Sequence, residues 1–399
     1  MEPSKLYATP NALAPFYSRF RVAERLLLTG HSHQAWPDAG FAAQQQAWLD
    51  AAALVDDKWD AAARVAEQVR AGWRRLLNDG GGDIALGQNT HELVTRLLSA
   101  LPLRRKPRLL TTDGEFHTIR RQLDRLAEEG MEIVRVPAHP AATAAERVAA
   151  RVDDRTACAL MSSVYYETAE IVPALELVAS ACERHEATLL IDAYHHLNAV
   201  PFDIQAMGLQ SAFVTGGGYK YCQLGEGNAF LRIPPGCMLR PVLTGWFSEF
   251  SALAQPVSPA AQGFPPVTAY GSGPNRFAGA TYDPTSHYRA AAVFAFHQEM
   301  GLTPALLREV SRHQVGLLRT EFEALGVDPA MAHVEPIGDE SRAGFLAIRS
   351  PHAAALCERL RERGVSSDVR HDVLRFGPAP YLSDDQLRDA IARLGEALR

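Results

Sequence analysis

Between residues 84 and 233 short apolar segments alternate with stretches of helical pattern, and this alternation restricts the fold more than any other feature of the chain. Residues 84–87, 108–112, 132–137, 158–164, 188–193, 212–215 and 229–233 read as strands. Helical patterns at 92–101, around Arg147 and at 174–184 lie between them. Strands joined through helices predict βαβ units, which build a largely parallel sheet covered on both faces. Ligands in such sheets bind beyond the carboxyl ends of the strands. Functional residues are therefore sought where these apolar runs stop.

The flanking regions read differently. Residues 41–77 are rich in Ala, Gln, Arg and Leu and predict one or two long helices. Residues 251–274 carry Pro256, Pro259, Pro265, Pro266, Gly263, Gly271 and Gly273, the composition of a long loop or crossover between domains. Beyond it, helices at 287–299 and 304–325, a strand at 344–350, a helix at 352–363, strands within 366–376 and a helix from Ser383 predict a smaller α+β unit. The expected organisation is an N-terminal arm (1–40), a large α/β domain with its leading helices (41–275) and a smaller C-terminal domain (276–399). A chain of 399 residues has room for this at roughly 100–200 residues per domain.

Composition excludes several classes. With 47% hydrophobic and 22% charged residues, the chain is neither a disordered tail nor a fibrous repeat. A net charge of −6 argues against a general nucleic-acid binder. The five cysteines include no CxxC pair and are odd in number, so no disulfide framework is expected, as in a reducing compartment. The opening MEPSKLYATPNALAP has no apolar core of a secretory signal, and no apolar run approaches the ~20 residues that span a bilayer. A cytoplasmic location, with no membrane and no nucleic-acid partner, is expected.

The most informative stretch runs from Thr188 to Phe250. It opens as LLIDAYHHLNAVPFD, an apolar strand running straight into Asp192. A strand-end aspartate can simply cap the following turn. It can also sit in the ligand crevice, where burial demands a cation or donors. The next apolar run leads into TGGGYKYCQLGEG, with Gly216–Gly218 before Tyr219 and Lys220. Glycines there let a planar ligand approach the backbone, and a desolvated lysine becomes a nucleophilic amine. A nucleotide phosphate loop would continue from lysine into serine or threonine, whereas Tyr221 follows Lys220. A carboxylate for a pyridine nitrogen and a lysine for an aldehyde are the two groups that pyridoxal phosphate requires.

At this point the chain resembles the fold-type-I pyridoxal-phosphate enzymes of the class V aminotransferase group, and within them the kynureninases. IDAYHHL, GGGYKY, LTGWFSEF, RFAGATYDP and VLRFGPAPY carry the resemblance, which spans roughly residues 25–395. It implies that Lys220 is the Schiff-base lysine, that Asp192 pairs with the ring nitrogen and that His195 lies beside the cofactor. It implies that Tyr219 touches the phosphate and serves as an acid. By the same resemblance Asn89, Thr90, Thr118, Ser162 and Trp246 contact the cofactor, and Phe116 stacks on its ring. Ser32 and Arg375 match residues near the substrate, Arg375 meeting its carboxylate. Thr281 matches a threonine that reaches a partner's phosphate, which implies a homodimer with shared sites. No metal site is implied: His31 with His33, and His195 with His196, lack the companions of a zinc site.

The implied reaction is hydrolysis of the Cβ–Cγ bond of L-kynurenine or a related γ-oxo amino acid, giving L-alanine and an aryl acid. Two departures bear on the substrate. Kynureninases carry an asparagine near the position of Thr281 and a histidine in the region aligning with residues 51–59, which here reads AAALVDDKW. Another class V activity, transamination or β/γ-elimination, is the alternative. Desulfuration needs a cysteine on a mobile loop, and residues 332–343 contain none. A protein that kept the fold without the chemistry would have no need of both Lys220 and Asp192.

Overall fold

The computed structural model describes residues 1–249 and 268–399. Most of the proline- and glycine-rich loop expected at 251–274 thus lies outside the described residues, as does Phe250 of the LTGWFSEF motif.

The chain opens with α1 (Ser4–Tyr7), a run of 3-10 turns and the short strand β1 (Leu26–Leu27). Two long helices follow, α2 (Asp38–Leu54) and α3 (Lys58–Leu76). They are separated at Val55, whose φ of +50° no helix accommodates. Then come β2 (Asp83–Gly87), α4 (Thr90–Ala100), β3 (Arg108–Thr112), α5 (His117–Glu128), β4 (Glu132–Val136), α6 (Ala144–Ala149), β5 (Thr156–Ser162), α7 (Leu175–Arg184), β6 (Thr188–Asp192), β7 (Phe213–Gly217) and β8 (Ala229–Ile233). The sequence reading omits α5. Only Ile119 and Leu123, one turn apart, are buried in this otherwise charged helix, so its apolar signal is slight.

Seven strands form one sheet in the order β2-β8-β7-β6-β5-β3-β4. The five from β4 to β7 are parallel, and β8 runs antiparallel to both its neighbours. Side chains alternate between the two faces as the pleat requires. Leu189 and Ile191 of β6 join one core with Trp73, Val178 and Phe294, while Leu190 joins the other with Leu93, Leu97 and Leu123. Burial on both faces explains why these strands read as unbroken apolar runs.

An ion pair ties the sheet edge together. Arg232 Nε of β8 donates to Asp79 Oδ2 at 2.7 Å, and Arg232 Nη1 donates to the carbonyls of Gln210 and Ala212 at 2.7 Å. Both side chains are fully buried. Asp79→Ala is expected to destabilise the protein by roughly 3–5 kcal/mol, because it leaves a guanidinium buried without its counter-charge. The urea midpoint measures this.

The C-terminal part contains helices Thr285–Glu299 and Pro304–Ala324, then β9 (His333–Val334), β10 (Leu346–Arg349), helix Ala353–Glu362, β11 (Val365–Ser366), β12 (Asp368–Arg370), β13 (Val373–Phe376) and helix Asp384–Leu398. The last helix starts with a capping box between Ser383 and Gln386. Strands β12, β13, β10 and β9 form an antiparallel sheet in that order. The N-terminal residues are built into this unit: Leu6, Tyr17 and Leu28 share a core with Ile348, Phe376 and Leu394. Strand β1 pairs in parallel with β11, and a bridge joins Thr29 to Gly377. Among the described residues no helix is long and apolar enough to cross a membrane.

Candidate active site

The carboxyl ends of the strands converge. Ser162 ends β5, Asp192 ends β6, and the two are register partners. Gly217 ends β7 and lies opposite Ala229, the first residue of β8, which is also opposite Gly87, the last of β2. The reversed strand β8 therefore brings residues 226–228 to the same edge as residues 88–90 and the loop 218–220. A cavity of about 360 Å³ opens there. Nine residues expected at the site line it: Asn89, Thr90, Phe116, Thr118, Ser162, Asp192, His195, Tyr219 and Lys220.

Lys220 is buried, and its Nζ donates to His195 Nε2 at 2.7 Å. Three aromatic rings surround that nitrogen, with centroids at 4.6 Å (Tyr194), 5.3 Å (Phe116) and 5.9 Å (Tyr219). Burial lowers the Lys220 pKa to about 7, against the opposing field of Asp192. Burial and the Lys220 charge push His195 well below the usual histidine range, so its ring is neutral and accepts. Burial raises the Asp192 carboxyl, while the Tyr194 N–H, donating to Oδ1 at 2.9 Å, and Lys220 favour the anion. Burial likewise raises the Tyr219 phenol, which keeps its proton at neutral pH.

Helix α4 points its start at the cavity. Asn89 caps it, its Oδ1 accepting from the Glu92 N–H at 2.9 Å. The remaining N–H groups of the first turn have no partner within the helix, and together with the helix dipole they favour an anion.

Four expected residues lie elsewhere. Arg375 is buried and is the cross-strand partner of Asp368. Its Nε and Nη2 donate to the two oxygens of Asp368 at 2.8 and 2.5 Å, and Nη1 donates to the Tyr166 carbonyl at 2.5 Å. His31 Nε2 bonds the same carboxylate at 2.8 Å. Ser32 sits next to His33, whose ring stacks on Tyr219 with centroids 4.8 Å apart. Trp246 is 45% exposed, and its Nε1 donates to Thr281 at 3.2 Å. Thr281 lines a separate, larger cavity of about 650 Å³ with Trp59, Phe247 and Tyr282.

Comparison with known proteins places this arrangement. Residues 307–394 match the family model of the kynureninase C-terminal domain. A kynureninase of Deinococcus radiodurans is 26% identical, covering 83% of this chain and 78% of its own. The isopenicillin N epimerase of Streptomyces clavuligerus is 28% identical over 83% of each. An uncharacterized aminotransferase, YcbU, of Bacillus subtilis is 21% identical over 87% of each. The solved complex of the cystine C-S lyase C-DES with cysteine persulfide superposes with a TM-score of 0.78 at 18% identity, covering 94% of this chain and 98% of that one. A second C-DES structure, with glycine covalently linked to its pyridoxal-phosphate cofactor, gives 0.80 at 17% identity over 96% and 98%. Over most of its length the chain is similar to kynureninases and to other pyridoxal-phosphate enzymes of the class V group.

Its fold is that of the fold-type-I enzymes. The residues present fit pyridoxal phosphate: a buried amine, a carboxylate at a strand end, an aromatic ring and a helix start face one cavity. His195 Nδ1 is buried there without a protein partner. Glycine matters at one wall. A Cβ on Gly217 would lie 2.2 Å from the Tyr194 hydroxyl. Gly217→Ala is expected to push Tyr194 into the cavity and weaken cofactor affinity about tenfold or more, at an overpacking cost of roughly 1–3 kcal/mol. Equilibrium dialysis of the cofactor checks it.

Sequence reasoning missed several of this enzyme's cavity residues. Tyr194 stands inside the quoted IDAYHHL motif, and its position between Asp192 and His195 was the available signal. Gln88, Tyr166, Glu226 and Asn228 also line the cavity. Glu115 was passed over in DGEFHT, where it reads as a turn residue; it is 3% exposed.

Proposed function

We propose that this enzyme hydrolyses the Cβ–Cγ bond of a γ-oxo amino acid of the kynurenine type, releasing alanine and an aryl acid. Bound pyridoxal phosphate supplies an electron-accepting ring. Lys220 would hold the cofactor, and its freed amine would take the proton from the substrate α-carbon. Asp192 would keep the ring nitrogen protonated. Phe116 and His195 would hold the ring, while Asn89, Thr90 and Thr118 would serve the phosphate and Ser162 the polar edge. Arg375, held as a fork by Asp368, and Ser32 act on the substrate. Trp246 serves the phosphate, Thr281 reaches the partner's phosphate in a homodimer, and sedimentation should find a dimer.

The observation that carries this reading is Tyr219. It is a phenol kept protonated by burial, beside the Lys220 amine and facing the same cavity. Its role in this reading is to protonate the carbon left after bond cleavage, a step that amino transfer does not need. Thiol chemistry finds no support nearby. Cys222, two residues from Lys220, is buried and its pKa is pushed far up by burial, and Cys357 is buried in a helix. The cytoplasm is the location proposed, on an odd number of cysteines with no CxxC pair in the sequence.

Release of anthranilate from kynurenine, or of its hydroxylated form from 3-hydroxykynurenine, is the expected result. Turnover of neither overturns the substrate. Thr281, standing where kynureninases carry asparagine, favours a second reading: a transaminase or β/γ-lyase on a smaller amino acid. Accumulation of the aminated cofactor, discharged by a 2-oxoacid, identifies the transaminase.

A further inference from the structure

We propose that Glu115 is a positioning residue that decides whether Ser162 offers the cofactor a proton or a lone pair. This rests on the reading of the Lys220 cavity as the cofactor site. Glu115 lies in the turn between β3 and α5 and is 3% exposed. Its two oxygens are separately engaged: Oε1 accepts the Thr112 hydroxyl and Oε2 accepts the Ser162 hydroxyl, each at 2.6 Å. Ser162 lines the cavity and is the register partner of Asp192. Glu115 thus stands behind the wall and reaches the ligand only through that hydroxyl.

A serine hydroxyl has one proton and two lone pairs. While Glu115 is ionised, the Ser162 proton is committed to it and only lone pairs face the cavity. When Glu115 is protonated, the carboxyl donates to Ser162 and frees the serine O–H for the ligand. The first state favours a protonated group on the cofactor edge, and the second an anionic oxygen. The titratable groups facing Glu115 are Asp192 at the end of β6 and Tyr165 beyond β5, the latter in turn facing Asp113 and Arg147. Burial pushes the Glu115 carboxyl up to about 7, against the two hydroxyls and with the Asp192 charge adding to the rise. The two states therefore exchange across neutral pH.

The test is a pH titration of the visible absorption of bound cofactor in the holoenzyme, for wild type, Glu115→Gln, Ser162→Ala and the double variant. The wild type should show a step near neutrality. That step should vanish in Glu115→Gln and in Ser162→Ala, and the double variant should match Ser162→Ala. Infrared titration of the protein without cofactor should show a protonated-carboxyl band that Glu115→Gln removes. A step that survives Ser162→Ala overturns the proposal, as does a Glu115→Gln effect undiminished in the Ser162→Ala background, which would make Glu115 a through-space charge. Should Glu115→Gln fail to fold, Ser162→Ala alone decides. Borohydride fixation of the cofactor elsewhere than Lys220 overturns the site reading itself, whereas fixation on Lys220 with an unaltered step overturns only the role of Glu115.

Discussion

Lys220→Ala is expected to abolish turnover, by about a thousand-fold or more, and to leave a protein that borohydride no longer links to the cofactor. Two proposed functions would vanish together: the covalent hold and the base at the substrate α-carbon. Fold loss is not expected to explain the result, because alanine removes a charge that burial already disfavours. The wild-type amine adds a signed check. Its pKa of about 7 means that the neutral, nucleophilic form grows as pH rises through that value. Cofactor capture by the protein without cofactor should therefore quicken from about pH 6 to 8 and then level off. Activity within tenfold of wild type in Lys220→Ala would remove the assignment.

Asp192→Asn is the second large effect. Asparagine keeps the acceptor for the Tyr194 N–H, which donates to Asp192 Oδ1 at 2.9 Å, so the strand end should hold its shape. It removes the anion proposed to keep a ring nitrogen protonated. A loss of roughly a hundred-fold or more in kcat is expected, the scale of one preorganised electrostatic partner. The same substitution removes the field that raises the Lys220 pKa, so the midpoint of cofactor capture should fall below about 7. A midpoint that rises, or kcat unchanged, would contradict the pairing. The two readouts are independent, one being chemistry and the other a titration.

How much of this was legible in the sequence depends on the range over which each signal acts. The strands of the main sheet read clearly because β5 to β7 are buried on both faces and stay apolar throughout. Asp192 and Lys220 stood out because each follows such a run. The reversal of β8 left no trace, since direction is set by a turn and not by composition. Helix α5 hid behind its charges. The pairing of Asp368 with Arg375 was invisible for another reason: it depends on the register of β12 against β13, which no local pattern states. Glu115 was lost in the same way, since its partner Ser162 is 47 positions away. The arginine was legible as a fork for a carboxylate, and the carboxylate holding that fork was not.

The pairing of the N-terminal strand has a mechanical consequence. Gly30 N–H donates to the Gly377 carbonyl at 2.8 Å, and Gly377 N–H to the Leu28 carbonyl at 2.7 Å. Ser32, in the turn after the Thr29–Gly377 bridge, and Arg375, on β13, come from opposite ends of the chain yet belong to one packed unit. They form a single jaw. Any hinge that closes this unit over the cavity would carry both of the groups proposed to meet the substrate at once, in fixed relation to each other. Substitutions that loosen Leu6, Tyr17 or Leu28 in the shared core should then be felt as a rise in KM with little change in kcat, although none of the three touches the cavity.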